Sequence, residues 1–306
     1  MRIVSLLPSA TEIICCMGLR EQLVGVTHEC DYPASVKGLP VVTQSFIPED
    51  LDSAAIDAMV RSQLSEQRAL YSLRQDVLEA LKPDLIVSQA LCDVCAVAAS
   101  EVEQAACSLP GRPKVINLEP ARLEEVFATI AVVGEAAAQP EAAAAAIARL
   151  QARVSAVCDR SDGIAPSDRP RVAMLEWLDP LFNAGHWTPQ LVQMAGGNEC
   201  LGNPFEPSTR TSWEQLTDSN ADVIFIAQCG FDAARSLRDV ALLREQPRWQ
   251  ALKAVQSGRV FLADGNAYFS RSGPRLVDSL ELLAHALHPQ VHPLPVGLSA
   301  ALQLTD

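Results

Sequence analysis

The chain has 306 residues, a formal charge of −13 and a hydrophobic content of 49%, enough for two domains of ordinary size, each with its own core. An acidic chain without clustered Lys and Arg lacks what neutralises phosphates, which excludes nucleic acid as a partner. No run reaches the roughly 18 to 20 consecutive apolar residues that a membrane-spanning helix requires, so the chain is not expected to span a membrane.

Met1 and Arg2 lead straight into Ile3-Val4-Ser5-Leu6-Leu7, with no basic segment, apolar stretch and small-residue cleavage site of the secretory kind. That opening predicts a cytoplasmic protein, or a periplasmic one whose leader has been trimmed. The nine cysteines are scattered and odd in number, which suits a reducing compartment better than a disulfide framework.

In the first half, short β-rich runs at 3–7, 23–27, 84–88 and 114–118 are separated by helical patterns such as Leu70, Leu73, Val77 and Leu81. Alternation of this kind predicts parallel β-α-β units. Residues 121–158 carry almost no strand formers. They include Ala142 to Ala146, followed by Ile147, Leu150, Val154 and Val157 at helical spacing, with Pro140 suited to a first helical turn. A long helix over 140–158 is expected, ended by the polar run Ser161 to Pro170.

The second half repeats the scheme with strands at 171–175, 222–227 and 259–263 and a closing helix with Leu276, Leu280, Leu283 and Leu287 on one face. The halves also align in detail. Arg2-Ile-Val-Ser-Leu pairs with Arg171-Val-Ala-Met-Leu, Asp84-Leu-Ile-Val-Ser-Gln89 with Asp222-Val-Ile-Phe-Ile-Ala-Gln228, and Lys114-Val-Ile-Asn with Arg259-Val-Phe-Leu. Buried parallel strands look alike in any protein. The shared order of three elements nevertheless favours an internal duplication.

The expected fold class is therefore α/β: two Rossmann-like parallel-sheet lobes joined by a single long backbone helix, with a ligand cleft between the lobes. The expected division is an N-terminal lobe over 1–120, connecting helices over 121–160, a C-terminal lobe over 161–290 and a tail over 291–306.

Open parallel sheets bind ligands at the carboxyl ends of their strands. The loops there are Pro8-Ser-Ala-Thr-Glu12, His28-Glu-Cys-Asp-Tyr-Pro33, Gln89-Ala-Leu-Cys-Asp-Val-Cys95, Glu176-Trp-Leu-Asp-Pro180, Gly185-His-Trp187, Gln228-Cys-Gly-Phe231 and Asp264-Gly-Asn-Ala-Tyr-Phe-Ser-Arg271. The opening Arg-Ile-Val-Ser-Leu-Leu-Pro-Ser-Ala-Thr-Glu, the Asp-Tyr-Pro turn, Leu-Lys-Pro-Asp-Leu-Ile and Ser-Gly-Pro-Arg-Leu resemble, over about residues 1 to 289, the periplasmic cobalamin-binding and iron-siderophore-binding proteins of ABC importers.

That resemblance implies reversible, non-catalytic capture of a metal chelate between two lobes. It points to Tyr32 and to the stretch Asn266 to Arg271. A corrinoid, wide, flat and edged with amides, needs aromatic faces to cover it and polar groups to orient it. The candidate ligand residues are Ser9, Thr11, Tyr32, Gln89, Trp177, His186, Trp187, Phe231, Asn266, Tyr268, Phe269 and Arg271. Any single aromatic among them can equally be the core anchor of its own loop. The expected partners are the small-molecule chelate and an ABC transporter or a corrinoid-using enzyme.

A second reading starts from the thiols. Cys92-Asp-Val-Cys95 has the spacing that lets two sulfurs reach one tetrahedral metal, and Cys30, Cys229 and His28 follow other strands. Together they would suit zinc or an iron–sulfur cluster, making the chain a cytoplasmic metal-binding protein. Buried free cysteine is also a common small hydrophobe. Cys15, Cys16, Cys107 and Cys158 fall in helical patterns and read as packing, and His285, His288 and His292 read as solvated groups near a helix C-terminus. No G-x-G-x-x-G follows the first strand and no G-x-x-x-x-G-K-[ST], H-E-x-x-H or G-x-S-x-G occurs, so no enzyme is expected.

Overall fold

A computed structural model describes residues 1–48, 51–66, 70–89 and 97–304. The chain divides into two compact units, residues 1–120 with 124–149, and residues 121–123 with 150–306.

Among the described residues, the first unit contains β1 (Ile3–Ser5), α1 (Pro8–Cys16), β2 (Leu23–Gly25), β3 (Thr43–Ser45), α2 (Ser53–Ser65), β4 (Tyr71–Leu73), α3 (Gln75–Leu81), β5 (Leu85–Ser88), α4 (Ala99–Ser108), β6 (Lys114–Asn117) and most of α5 (Leu123–Ala136). Helix α6 (Pro140–Ser161) begins in this unit and ends in the second. The sheet order is β2-β1-β5-β6, all parallel. Strands β1 and β5 are buried along their whole length, as continuous apolar runs require when a sheet is covered on both faces. Val4, Leu6, Ile86, Leu78 and Val102 form the core on one face.

The second unit contains β7 (Arg171–Leu178), β8 (Leu181–Asn183), α7 (Thr188–Met194), β9 (Asn198–Glu199), α8 (Trp213–Asp218), β10 (Val223–Ile226), α9 (Ala233–Arg244), α10 (Lys253–Gln256), β11 (Val260–Leu262), α11 (Leu276–Leu287) and β12 (Leu302–Leu304). Strands β9, β7, β10 and β11 lie parallel in the same spatial sequence as β2, β1, β5 and β6, and β8 and β12 are antiparallel additions. The last of these lies in the stretch expected as a tail.

The internal repeat reaches the level of individual hydrogen bonds. The main-chain N–H of Arg2 donates to the Asp84 carboxylate (2.7 Å) while its guanidinium donates to the Leu81 carbonyl (2.7 Å). The N–H of Arg171 donates to the Asp222 carboxylate (2.8 Å) and its guanidinium to the Ser219 carbonyl (2.9 Å). In return Asp84 N–H donates to Arg2 O and Asp222 N–H to Arg171 O, each at 2.8 Å. An arginine that opens one strand and an aspartate that opens its neighbour thus pin the sheet at its amino edge in both units, leaving the carboxyl edge to the loops.

The helical pattern expected through Leu70, Leu73, Val77 and Leu81 is corrected by the structure. Tyr71–Leu73 pairs antiparallel with Thr43–Ser45, and the helix starts only at Gln75. Residues four apart can match helical spacing across a strand–helix junction, so the pattern alone did not find the boundary. The long connector is a helix over 140–161, opening on Pro140. Its Ala143 lies where any side chain at Gly134 of α5 would collide with it, so the glycine permits close packing of the two helices.

The C-terminal histidines are less solvated than expected. His292 is 2% exposed, its Nε2 lies 3.1 Å from Ser161 Oγ, and its Nδ1 accepts from Arg160. Burial, reinforced by the Arg160 charge, lowers its pKa to about 4, so the ring is a neutral structural link.

Glu199, at the end of β9, accepts main-chain N–H groups from Cys200 (3.0 Å), Leu201 (2.8 Å) and Gly202 (2.9 Å) on one carboxylate oxygen. Burial nonetheless pushes its pKa up to about 7. The folded state therefore holds the proton more tightly than the unfolded state does. Stability from this group is fully present below pH 4.5 and is lost as pH rises through 7. Glu199→Gln keeps an acceptor and removes the charge, and it is expected to stabilise the protein by about 2 kcal/mol at pH 8. Urea midpoints at pH 8 and pH 4.5 check this, and an equal gain at both would refute the account.

Candidate functional site

Strand-end loops form a polar, partly aromatic surface in each unit. In the first, Pro8 starts α1 immediately after β1. Thr11, fully buried, donates to Ser5 Oγ (2.9 Å) and lies 3.1 Å from Cys30 Sγ, which is also 3.1 Å from Thr27 Oγ1. Cys30 thus sits between two hydroxyls that fold the loop after β2 back onto α1.

Beside it, His28 is fixed from two sides. Its N–H donates to Thr43 Oγ1 (3.2 Å), its Nδ1 lies 2.8 Å from the same oxygen, and its ring packs 5.5 Å from Tyr71. Burial lowers its pKa, favouring neutral imidazole. Leu6, Pro8, Thr27, His28, Thr43 and Tyr71 are among the residues lining a hollow here of about 240 Å³, counted with its open mouth. Tyr32 follows at 47% exposure, preceding a cis bond to Pro33, and Gln89 is buried at the end of β5.

In the second unit, Trp177 near the end of β7 and Phe231 after β10 have ring centroids 5.1 Å apart. The turn that presents Phe231 needs Gly230, whose φ of 75° suits a residue without Cβ. The Arg235 guanidinium lies 4.3 Å from the Phe231 centroid and is ion-paired to Asp239 at 2.8 Å. Asp239, nearly buried, also accepts from Gln228 (2.8 Å). Trp177, Phe231, Arg235, Asp239 and Gln228 therefore form one continuous chain of contacts from the rim to the sheet, in which the cation covers an aromatic face.

The loop 264–271 completes this surface. Asp264 accepts from Ala267 N–H (2.7 Å), Asn266 N–H donates to the Phe231 carbonyl (3.0 Å), and Arg271, itself buried, donates to Asn266 Oδ1 (3.0 Å). Burial raises the Asp264 pKa, with Ala267 N–H opposing the shift. The Arg275 guanidinium lies 5.9 Å from the Tyr268 ring centroid. Met174, Leu175, Glu176, Thr188, Phe269 and Ser270 are among those lining a second hollow of about 220 Å³, again counted with its open mouth.

The expected residues thus divide by exposure. Trp177, His186, Phe231, Asn266 and Tyr268 are partly exposed, and Tyr32 is open. Trp187 and Phe269 are buried: Trp187 Nε1 donates to the Phe269 carbonyl (2.9 Å), and the Phe269 ring packs 5.3 Å from Phe225. They hold the loop from beneath, while Ser9 and Thr11 lie buried in α1. Arg235, Asp239, Gln228 and Arg275 were not among the expected residues. The available signal was Asp232, an N-cap accepting from Arg235 N–H at 2.7 Å, followed by Arg235 and Asp239 one helical turn apart.

The cysteine constellation gains no support. Cys30 belongs to the first unit and Cys229 to the second, while Cys92 and Cys95 lie outside the described residues. Among the described residues, no three His, Cys, Asp or Glu side chains gather to hold a metal ion. Outside that constellation, burial pushes the Cys15 and Cys16 thiols up to about 11 and about 12, which keeps them as thiols and suits packing residues. Among the described residues, no helix is long and apolar enough to cross a membrane.

Repeated parallel sheets with polar, partly aromatic loops at their carboxyl edges define a two-unit α/β protein suited to binding a ligand. Residues 3–267 match the periplasmic binding protein family, and the chain belongs to it. This is a family of binding proteins rather than enzymes.

The chain is 23% identical over 295 residues to an uncharacterized ABC transporter substrate-binding lipoprotein of Bacillus subtilis, covering 94% of this chain and 80% of that one. It is 24% identical over 305 residues to the vitamin B12-binding protein of Pectobacterium atrosepticum, covering 98% and 91% respectively. Among solved structures, a periplasmic heme-binding protein from Pseudomonas aeruginosa superposes with a TM-score of 0.75 at 21% identity, covering 100% of this chain and 99% of that one. The periplasmic vitamin B12-binding protein of Vibrio cholerae superposes with a TM-score of 0.66 at 21% identity, covering 94% and 96%. These superpositions establish the fold.

Proposed function

We propose that the chain captures a corrinoid or a related flat metal chelate at its strand-end loops, without altering it chemically, and passes it to an ABC importer. The observation that carries this reading is the tilted, contacting Trp177–Phe231 pair backed by Arg235 and Asp239. It is a partly exposed aromatic platform on a rigid polar foundation, suited to the face of a macrocycle. In the same unit Tyr268 adds aromatic surface, and Asn266 offers an amide to amide-edged ligands. The relatives named for vitamin B12 binding support the same ligand class.

Titration with cyanocobalamin, cobinamide and hemin, followed by visible absorption and calorimetry, is expected to show saturable binding of at least one of them at about one ligand per chain. Trp177→Ala is expected to weaken that binding about tenfold, the scale of one lost aromatic stacking partner. A chain that responds to none of the three would sink the proposal.

A further inference from the structure

In the second unit, the segment after β9 is a strap tied to one buried carboxylate. Residues 200–211 run back along β8 and the loop that follows it. Thr211 N–H donates to the Leu181 carbonyl (2.9 Å), Asn183 N–H to the Thr209 carbonyl (3.0 Å), His186 N–H to the Glu206 carbonyl (2.6 Å) and Phe205 N–H to the His186 carbonyl (2.9 Å). The Asn183 amide donates to the Leu201 carbonyl (2.9 Å), and a methyl group at Gly202 would come 2.3 Å from the Ala184 carbonyl oxygen. Ala184 and Thr188 line the second hollow, so the strap braces part of its wall. Glu199 holds the first turn of the strap: three N–H groups converge on one carboxylate oxygen, while the other oxygen is buried without a hydrogen-bond partner. One saturated oxygen beside one bare, buried oxygen suits a carboxyl that carries a proton better than an anion, because a buried charge is costly unless it is fully compensated.

We infer that Glu199 is a proton-operated catch: protonated, it keeps the strap closed against the Ala184–Thr188 wall of the second hollow, and ionised, it lets the strap open so that water reaches the bare oxygen. Burial pushes the pKa of the closed form up to about 7, against 4.5 for a solvated carboxyl. The closed strap thus binds the proton more tightly than the open one. Closure is strongest below pH 4.5 and weakens as pH rises to 7, by at most about tenfold per pH unit for one proton.

The groups around Glu199 do not supply this dependence. Cys200, beside it, has a thiol pushed up to about 11 by burial and stays neutral. Arg171 on β7 is bonded to the Ser219 carbonyl, Asp222 before β10 is ion-paired with Lys253 (2.5 Å), and Arg169 is bonded to the Ser161 carbonyl. Helix α7 carries no charged residue, His288 of α11 has its Nε2 3.0 Å from the Gly196 carbonyl, and Glu206 and Arg210 of the strap are exposed. Burial lowers the pKa of His186, which gives the opposite sign: its protonation favours opening, so closure would strengthen as pH rises. The bearing on ligand rests on the proposed capture of a chelate, since a chelate that reaches the second hollow meets a firmer wall in acid.

Amide hydrogen exchange of the ligand-free full chain, expressed as protection relative to an unfolded chain, reads the catch directly. The N–H groups of His186, Leu201, Gly202 and Phe205 are expected to be less protected than those of β10 at every pH, and to lose about a hundredfold in protection between pH 4.5 and pH 7.5. Glu199→Gln should hold their protection level across that range. A flat or rising profile in wild type, a falling profile that survives Glu199→Gln, or protection equal to that of β10 would overturn the inference. Titration with cyanocobalamin, cobinamide and hemin at pH 5 and pH 8 reads the consequence: wild type is expected to bind severalfold more tightly at pH 5, and Glu199→Gln equally at both. Equal affinity of wild type at the two pH values would overturn the link between strap and hollow while leaving the proposed function standing. Absence of binding by all three chelates would overturn the proposed function, and the exchange profile would still decide the catch.

Discussion

Gly265→Ala is expected to destabilise the second unit by about 3 kcal/mol or more and to abolish ligand binding at the loop it opens. A methyl group at this position would collide with the Gln228 carbonyl oxygen and lie 2.7 Å from the carbonyl carbons of Ala227 and Gln228. All three atoms are main chain at the exit of β10, so no side-chain rotation relieves the clash. Relief requires the 264–271 loop to move away, which breaks the Asn266 N–H to Phe231 carbonyl bond and displaces Tyr268 and Arg271 together. Urea denaturation with a parallel binding titration measures both effects. An alanine variant with an unchanged midpoint and full binding would show that the loop is not held against β10.

Trp187→Ala should cost about 3–5 kcal/mol, the usual range for removing a buried large aromatic. The indole is 7% exposed, and its loss would also leave the Phe269 carbonyl without this donor. Trp187→Phe separates the two contributions: it retains much of the buried area and should recover most of the stability while the carbonyl remains deprived of the indole N–H. Equal losses in the two variants would assign the whole effect to the hydrogen bond. Since Trp187 and Gly265 hold the same loop from different sides, their effects are not expected to add.

The features most legible in the sequence were those repeated within it. Arg2 with Asp84 and Arg171 with Asp222 stood out as matching strand openings, and the structure shows why: each arginine and aspartate share the same reciprocal main-chain bonds. Pro140 and the alanines after it marked α6 because proline at a first turn and alanine in an interior are local preferences.

The β3–β4 pair was hidden because its strands have three residues each, too few for a period of two to emerge, and its partners are separated by a helix. The site was legible by type more than by role. Trp177, Phe231, Trp187 and Phe269 all follow strands and look equivalent in sequence. Exposure sorts the first pair to the rim and the second to the support beneath it. Arg235 and Asp239 were missed because a charged pair one turn apart on a helix reads as ordinary surface decoration. Only the fold places Phe231 under the guanidinium and Gln228 against the carboxylate.

The antiparallel strand β12 has a consequence for colloidal behaviour. It pairs Leu302, Gln303 and Leu304 with Leu262, Phe261 and Val260, and Gln303 also donates to the Gly258 carbonyl (2.6 Å). Parallel sheets of this kind leave their last strand with one row of main-chain donors and acceptors facing outward, a template on which another chain can add. By occupying that row on β11, three residues far along the chain become the border in its place, and an edge strand of only three residues offers a shorter template for intermolecular strand addition.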